Sequence, residues 1–186
     1  MKTIQVSDLM VPLAEYAMVS EEATLYEAAI ALEEAQNRLD RDKYLYLHRA
    51  VLVYDKNKKI VGKVSQLDAL KALEPKYAEM GDADRLSRAG FSPEFLKSIM
   101  QKSALWEHSL RDVCTKAAGL KVKKFMYTPT KGEYVDAEAT LDEAMHLLVM
   151  GHHQSLLVTE DDDIVGILRV SDVFAEVFHM MKSCKI

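Results

Sequence analysis

The chain contains two copies of one sequence pattern. Residues 10–32 align without a gap with residues 126–148, at an offset of 116, and 9 of the 23 positions are identical. Residues 48–68 align with residues 152–172 at an offset of 104, with 6 of 21 positions identical. The difference between the offsets places twelve extra residues in the first copy, around "NRLDRDKYLYL". Because two copies are too few for a solenoid, they predict two similar units packed face to face about a pseudo-twofold axis.

Both copies carry the signature of a helix start. Thr24 and Glu27 in the first copy, and Thr140 and Glu143 in the second, have the Thr-x-x-Glu spacing of a capping box. Small and apolar residues then recur at helical spacing, which predicts a stripe that faces the core. The stripe comprises Ala28, Ala29 and Leu32 in the first copy and Ala144, Met145 and Leu148 in the second.

Apolar runs around each capped helix predict strands. One short strand is expected before each helix, at residues 16–19 and 133–135. After each helix, two apolar runs flank a polar turn and predict a pair of strands. A second helix is expected to close each copy, at residues 66–73 and 171–180. The order is therefore β-α-β-β-α, and two such units with helices on one face of each sheet predict an α+β fold.

The repeat does not extend through the segment between the copies. Here the stretch "SPEFLKSIMQKSALWEHSLRDVCTKAAG" indicates helix, with Ser92 as N-cap, Pro93 at the first helical position and Gly119 at the end. Apolar residues near helical spacing predict two shorter helices. These residues are Phe95, Ile99, Met100, Trp106, Leu110, Val113, Cys114 and Ala117. Two interpretations stay open, because residues 91–118 could pack onto the repeats or could form a surface for a protein partner or a second copy.

The chain is therefore divided into three parts. Residues 1–74 are predicted to form the first repeat, residues 75–121 a helical insertion, and residues 122–186 the second repeat.

Composition argues against several classes of partner. A formal net charge of -5 does not suit nucleic-acid binding, which needs a concentrated basic surface. The two cysteines, Cys114 and Cys184, lie far apart and indicate neither a disulfide framework nor a metal site. No apolar run approaches the roughly 18 residues of a membrane span, and the first residues lack the apolar core of a signal peptide. We expect a cytoplasmic protein without nucleic-acid or membrane partners.

The sequence gives little support for metal binding or catalysis. His146, His152 and His153 cluster, but adjacent residues of a strand point to opposite faces, so His152 and His153 cannot easily share one ion. Nucleophile elbows, Walker loops and dinucleotide-binding glycine motifs are all missing from the sequence. We expect a protein that is not an enzyme and needs no cofactor.

The stretch "IVGKVSQLD" admits two interpretations. Ser65 and Asp68 have the spacing of a helix cap, but free N–H groups at a helix start also suit a phosphate, and the carboxylate could accept from ribose hydroxyls. In the second copy Arg169 replaces the serine while Asp172 is retained. Because arginine is not an N-cap and binds phosphate in bidentate fashion, the comparison favours ligand binding modestly.

These motifs together resemble a pair of CBS domains, named for cystathionine beta-synthase. The "ATL-x-EA" and "IVG-x-x-…-D" motifs occur once in each copy, and the resemblance covers about residues 6–73 and 122–180. The family signature Gly-x-x-[Ser/Thr]-x-x-Asp is intact in the first copy and carries an arginine in the second. The resemblance implies a flat module with a cleft between the repeats, which often dimerises as a disc and regulates a partner.

The resemblance also implies roles for individual residues. Family members commonly bind AMP, ADP, ATP or S-adenosylmethionine in the cleft. In this chain the ribose would be held by Asp68 and Asp172, and the phosphate would face Ser65 and Arg169. Polar contacts are expected from Arg49 and His153, and main-chain contacts to adenine from Val19 and Val135. The alternative function is a ligand-free module that mediates dimerisation or another protein interaction.

Overall fold

The computed structural model describes residues 3–74, 76–79, 91–105 and 112–184. The first repeat contains β2 (Met18–Ser20), α2 (Leu25–Arg38), β3 (Ala50–Tyr54), β4 (Ile60–Ser65) and α3 (Gln66–Ala72). The second contains β5 (Tyr134–Asp136), α7 (Leu141–Gly151), β6 (Ser155–Glu160), β7 (Asp163–Arg169) and α8 (Val170–Ser183). Before the first repeat lie α1 (Val6–Leu9) and β1 (Val11–Pro12), and between the repeats lie α4 (Lys76–Glu79), α5 (Pro93–Lys102) and α6 (Val113–Gly119). The β-α-β-β-α order of both repeats is confirmed.

The predicted capping boxes start the first helix of each repeat, α2 and α7. Thr24 Oγ1 accepts from the backbone N–H of Glu27 at 3.2 Å, and a Glu27 carboxylate oxygen accepts from the backbone N–H of Thr24 at 2.6 Å. Thr140 and Glu143 make the same pair of bonds, at 3.3 and 2.9 Å. The helical stripe packs inward as predicted except at Ala29, which is exposed because it lies at the edge of a groove between α2 and α3.

Strand pairing links the two repeats. In each repeat the first strand runs parallel to the middle strand, and the middle and last strands are antiparallel. The segment that precedes each repeat, however, pairs with the other repeat. β1 is antiparallel to β7 of the second repeat, with Val11 opposite Ile167. The equivalent residue before the second repeat, Tyr127, forms an antiparallel bridge with Lys63 of the first repeat.

This exchange explains the glycine of the "IVG" motif. A Cβ added to Gly166 would lie 2.8 Å from the carbonyl oxygen of Val11 and 2.8 Å from Met10 Sδ. A Cβ added to Gly62 would lie 2.7 Å from Met126 Sδ and 3.1 Å from the Tyr127 carbonyl oxygen. Both glycines therefore let a crossing segment approach the last strand closely.

The two glycines should differ in their tolerance of alanine. Because a backbone oxygen cannot move aside as a methionine side chain can, we expect G166A to lower the free energy of unfolding by about 2–3 kcal/mol and G62A by about 1 kcal/mol. The control is G119A, because a Cβ at Gly119 meets nothing within 4 Å. Urea unfolding followed by circular dichroism measures all three variants. Equal stability of G166A and G119A would contradict the steric explanation.

Three apolar clusters stabilise this arrangement. One lies within each repeat, centred on Val53 and on Val158, and both side chains are fully buried. The third joins the repeats and contains Leu52, Leu157 and Ile167. The repeats therefore share a core, which holds them in a fixed relative position.

The insertion is helical where the structure describes it. The two predicted shorter helices correspond to α5 and α6, and Ser92 Oγ caps α5 by accepting from Phe95 N–H at 3.2 Å. α6 packs against α2 of the first repeat. Trp106 and Leu110 lie outside the described residues. Among the described helices, none combines the length and the hydropathy that a bilayer crossing requires.

Candidate ligand-binding cleft

A cavity of about 510 Å³ opens between the two repeats. Its size is within the range of small-molecule sites, which is roughly 300–1,000 Å³. Five of the eight predicted ligand residues line it, namely Arg49, Ser65, Asp68, His153 and Arg169. Val19, Val135 and Asp172 are not among the lining residues, and both valines are buried in the cores of their repeats.

One wall of the cleft is the start of α3, where Ser65 and Asp68 form a capping box. Asp68 N–H donates to Ser65 Oγ at 3.2 Å, and Asp68 Oδ2 accepts from the N–H and the hydroxyl of Ser65 at 2.9 and 2.6 Å. The other carboxylate oxygen, Oδ1, accepts no hydrogen bond from the residues that the structure describes. The cap therefore leaves half of the carboxylate available to a ligand.

A buried ion pair that sequence reasoning missed forms a second wall. Lys63 Nζ lies 2.6 Å from Glu133 Oε2, and the Tyr127 hydroxyl donates to Glu133 Oε1 at 2.5 Å. The Glu133 residue is only 1% exposed. Burial acts to raise the pKa of Glu133, but the hydrogen bonds from Lys63 and Tyr127 outweigh it and leave the pKa below its ordinary value. Chiefly because of its bond to Glu133, the pKa of Tyr127 rises to about 12.

A signal for this group is present in the repeat alignment. Lys63, Tyr127 and Glu133 occupy the positions of Ile167, Val11 and Ala17 in the other copy. Each is therefore a polar residue where its counterpart is apolar.

Basic side chains are among the residues that border the cavity. Arg49 is exposed and lies directly before β3, and His152 and His153 occupy the equivalent turn before β6. His152 has a left-handed backbone conformation, with φ of 53°, and ends α7. His153 packs over Gly151, where a Cβ would lie 2.0 Å from its Nε2. This border could attract an anionic group of a ligand.

Arg169 also lines the cleft and is almost fully buried. Its Nε and Nη2 donate to the two oxygens of Asp172, at 2.5 and 2.6 Å. Its Nη1 donates to the Tyr46 carbonyl oxygen at 3.1 Å and lies 3.0 Å from His48 Nδ1. The guanidinium also lies over the Tyr44 ring, 5.4 Å from its centroid. All of the guanidinium nitrogens therefore have partners within the chain.

The comparisons with known proteins can be set against this geometry. The family model for the CBS domain matches residues 6–75 and 122–179, which together are more than half of the chain. The chain belongs to the CBS domain family. The predicted family and α+β fold are therefore confirmed. No curated protein sequence matches the chain.

Solved CBS structures resemble the whole chain. A structure of CBSX2 in complex with AMP is 20% identical, has a TM-score of 0.57, and the match covers 95% of this chain and 98% of that one. CBSX2 from Arabidopsis thaliana gives 20% identity and a TM-score of 0.57, with 98% and 100% covered. The CBS domain of a membrane protein from Sphaerobacter thermophilus gives 21% identity and a TM-score of 0.59, with 93% and 87% covered. At these identities the likeness shows the fold alone.

His48 gives this CBS pair a titratable group in its interior. The side chain is fully buried, and its Nε2 lies 3.1 Å from the Glu15 carbonyl oxygen. Because a carbonyl only accepts and a guanidinium only donates, Nε2 carries the hydrogen and Nδ1 accepts from Arg169. Burial, together with the positive charge of Arg169, lowers the pKa of His48 to about 4. The imidazole is therefore neutral at pH 7.

The depressed pKa of His48 predicts a loss of stability in mild acid. The unfolded chain takes up a proton near the ordinary pKa of 6.5 while the folded chain does not, so stability falls as the pH falls from about 6.5 towards 4. Between pH 7.5 and pH 5 we expect His48 to account for a loss of about 2 kcal/mol. Urea unfolding of wild type and H48Q at both pH values measures this contribution. An equal loss in H48Q, which has no imidazole, would contradict it.

A protein metal site needs several His, Cys, Asp or Glu side chains around one ion. Within the described ranges, no group of three His, Cys, Asp or Glu side chains could hold an ion.

Proposed function

We propose that this CBS pair is a regulatory module that binds an adenine nucleoside or nucleotide, such as AMP, ADP, ATP or S-adenosylmethionine, in the cleft between its repeats. Binding would change its conformation or assembly and so signal to a partner. The observation that carries the proposal is the open cavity whose lining combines the free oxygen of Asp68 with the side chains of Arg49 and His153. The AMP complex of CBSX2 supports the same class of ligand by analogy.

The residues that line the cavity can contact the ribose, the phosphate and the base of such a ligand. A ribose diol could donate to Asp68 Oδ1, which has no other donor among the described residues. A phosphate could accept charge-assisted hydrogen bonds from Arg49. The apolar parts of Ala50, Leu67 and Val170 line the same cavity and would border the base.

The charge balance of the cleft suits a ligand with few negative charges. Lys63 is paired with Glu133 and Arg169 with Asp172, so neither pair contributes net charge. Arg49, Asp68 and two histidines then supply the remaining ionisable side chains of the lining named above. A nucleoside monophosphate or S-adenosylmethionine has less negative charge to be neutralised by the protein than a triphosphate has. We therefore expect these two ligands to bind better than ATP.

A ligand-free dimerisation module is the second candidate. The observation that favours it is a set of exposed apolar side chains on the helices of both repeats. These are Tyr26, Leu67, Leu70, Val149, Met150, Phe174, Phe178 and Met181. Such surfaces commonly bind another protein or a second copy. Homodimerisation is part of both proposals, and a partner site within residues 91–118 is suggested by the exposed Phe95, Leu96 and Met100 on α5.

Adenine compounds should raise the melting temperature of the protein. At a hundredfold excess of ligand over Kd the stabilisation is about 2.7 kcal/mol, which for a chain of this size raises Tm by roughly 5–10 °C. Thermal-shift measurements with adenosine, AMP, ADP, ATP and S-adenosylmethionine test this. We expect D68A to abolish the shift, and R49A to weaken AMP about tenfold or more without weakening adenosine.

Two control variants separate ligand binding from general effects. E27A removes the capping carboxylate of a matching box outside the cavity, so it should lose stability as D68A does and keep the ligand shift. R38A removes an exposed arginine outside the cavity and should bind AMP as wild type does. Absence of any shift at millimolar concentration, together with a dimer on gel filtration, would favour the ligand-free module.

A further inference from the structure

The pseudo-twofold axis should generate two equivalent sites, but the residues that line the cavity differ between its two sides. Five pairs of equivalent positions line it from both copies, namely Arg49 and His153, Ala50 and Gln154, Ser65 and Arg169, Gln66 and Val170, and Leu67 and Ser171. Four other lining residues, Lys63, Asp68, Tyr127 and Glu133, have counterparts in the other copy that do not line it. The counterparts are Ile167, Asp172, Val11 and Ala17, and none of them lines the cavity. Val11 and Ile167 are fully buried, so protein fills the second half of the cleft at these two positions.

The two signature aspartates differ in the same way. Asp68 receives bonds through Oδ2 and retains Oδ1, whereas both oxygens of Asp172 accept from Arg169. A ligand hydroxyl could therefore bind Asp68 without displacing a protein group. To bind Asp172 it would have to break a buried ion pair whose side chains are 6% and 10% exposed.

The residues that pack against Arg169 in the second half of the cleft belong to a connection that is longer in the first copy than in the second. The connection from α2 to β3 spans residues 39–49, whereas the equivalent connection from α7 to β6 spans only residues 152–154. We call residues 39–49 the long connection. Its Tyr44 and His48 are buried, and its Tyr46 carbonyl oxygen and His48 Nδ1 both accept from Arg169.

Further bonds hold the long connection in place. Gln36 Nε2 donates to the His48 carbonyl oxygen at 2.6 Å, and Lys43 Nζ lies 3.0 Å from Glu15 Oε1. Tyr16 packs edge-on against the His48 ring, with centroids 4.4 Å apart. The long connection is therefore a packed and hydrogen-bonded part of the fold beside Arg169.

We propose that the chain has a single nucleotide site, and that Arg169, held by Tyr46 and His48 of the long connection, permanently occupies the equivalent position in the second copy. Arg169 supplies to Asp172 the donors that ribose hydroxyls would supply, and the buried Tyr44 and His48 pack against the Arg169 guanidinium. This inference rests on the proposed function for the identity of the ligand. The occupation of the Asp172 side of the cleft by Arg169 is argued from contacts within the chain alone. It predicts one ligand per chain despite two copies of the signature aspartate.

Two measurements on the full chain test the proposal. Isothermal titration with AMP gives the number of sites, and we expect one AMP per chain in wild type and none in D68N. Labelling with diethylpyrocarbonate followed by mass spectrometry reports access to histidines without any ligand. We expect His48 to react at least about tenfold more slowly than the exposed His152, because its ring becomes accessible only on local opening.

The outcomes distinguish the inference from the proposed function. Two AMP molecules per chain, or one AMP retained by D68N, would overturn the single-site inference and leave nucleotide binding intact. Equal labelling of His48 and His152 in the folded protein would show that the long connection does not close off the Asp172 side of the cleft. If AMP and the other adenine compounds fail to bind while His48 stays protected, the proposed function falls and the occupation of the Asp172 side is supported.

Discussion

Replacing Arg169 with alanine should lower the free energy of unfolding by about 3–5 kcal/mol, one of the two largest effects we expect in this protein. The variant leaves the Asp172 carboxylate buried without its donors, and it also removes the donor to the Tyr46 carbonyl oxygen and to His48. Urea unfolding at pH 7.5 measures the loss.

Two further variants identify the cause of that loss. R38A breaks an exposed pair in which Arg38 lies 4.0 Å from Glu34, and it should cost less than about 1 kcal/mol. The double variant R169M/D172L removes both charges together and should recover much of the stability, because no unpaired charge stays buried. If R169A costs no more than R38A, the ion pair does not stabilise the closed half of the cleft.

Replacing Glu133 with alanine should cost about 2–4 kcal/mol, since it leaves Lys63, with a side chain 15% exposed, and the Tyr127 hydroxyl without their acceptor. The loss includes the contact between the repeats, because Lys63 belongs to the first and Glu133 to the second. Thermal and urea unfolding measure it. The pKa of Tyr127 should fall from about 12 towards its ordinary value of 10, which absorbance near 295 nm follows in an alkaline titration.

The matched control for Glu133 is Glu15, which pairs with Lys43 at 3.0 Å on the surface. Because the two side chains are 41% and 51% exposed, E15A should cost less than about 1 kcal/mol. E133Q keeps an acceptor for Tyr127 and should retain part of the stability. An E133A variant as stable as E15A would show that the pair contributes nothing to the packing of the repeats.

The sequence was informative wherever the determining contacts are local. Thr24 and Glu27 are three residues apart, so their capping box could be recognised from spacing, as could Ser92 and Pro93 at the start of α5. The duplication gave the topology, because the same local signals occur twice in the same order. The prediction that the helical stripe faces the core was wrong only at Ala29. Its exposure depends on how the neighbouring helix α3 is placed, because Ala29 lines the groove between the two helices.

The asymmetry of the cleft could not be predicted because it depends on distant residues. Arg169 is 121 residues from His48 and 123 from Tyr46, and Lys63 is 70 from Glu133. The alignment of the copies showed that arginine replaces serine at position 169. It did not show which carbonyl group the arginine would bind. The alignment did contain polar-for-apolar differences at Lys63, Tyr127 and Glu133, and comparison of the copies position by position would have identified them.

The crossing of β1 onto β7, and of Tyr127 onto Lys63, has a mechanical consequence. Each half of the molecule contributes backbone to the sheet of the other, so neither can swivel as an independent rigid body. A tilt of one half pulls directly on the hydrogen-bonded edge of its neighbour. A ligand bound at the proposed site beside Asp68 would thus deform both ends of the molecule.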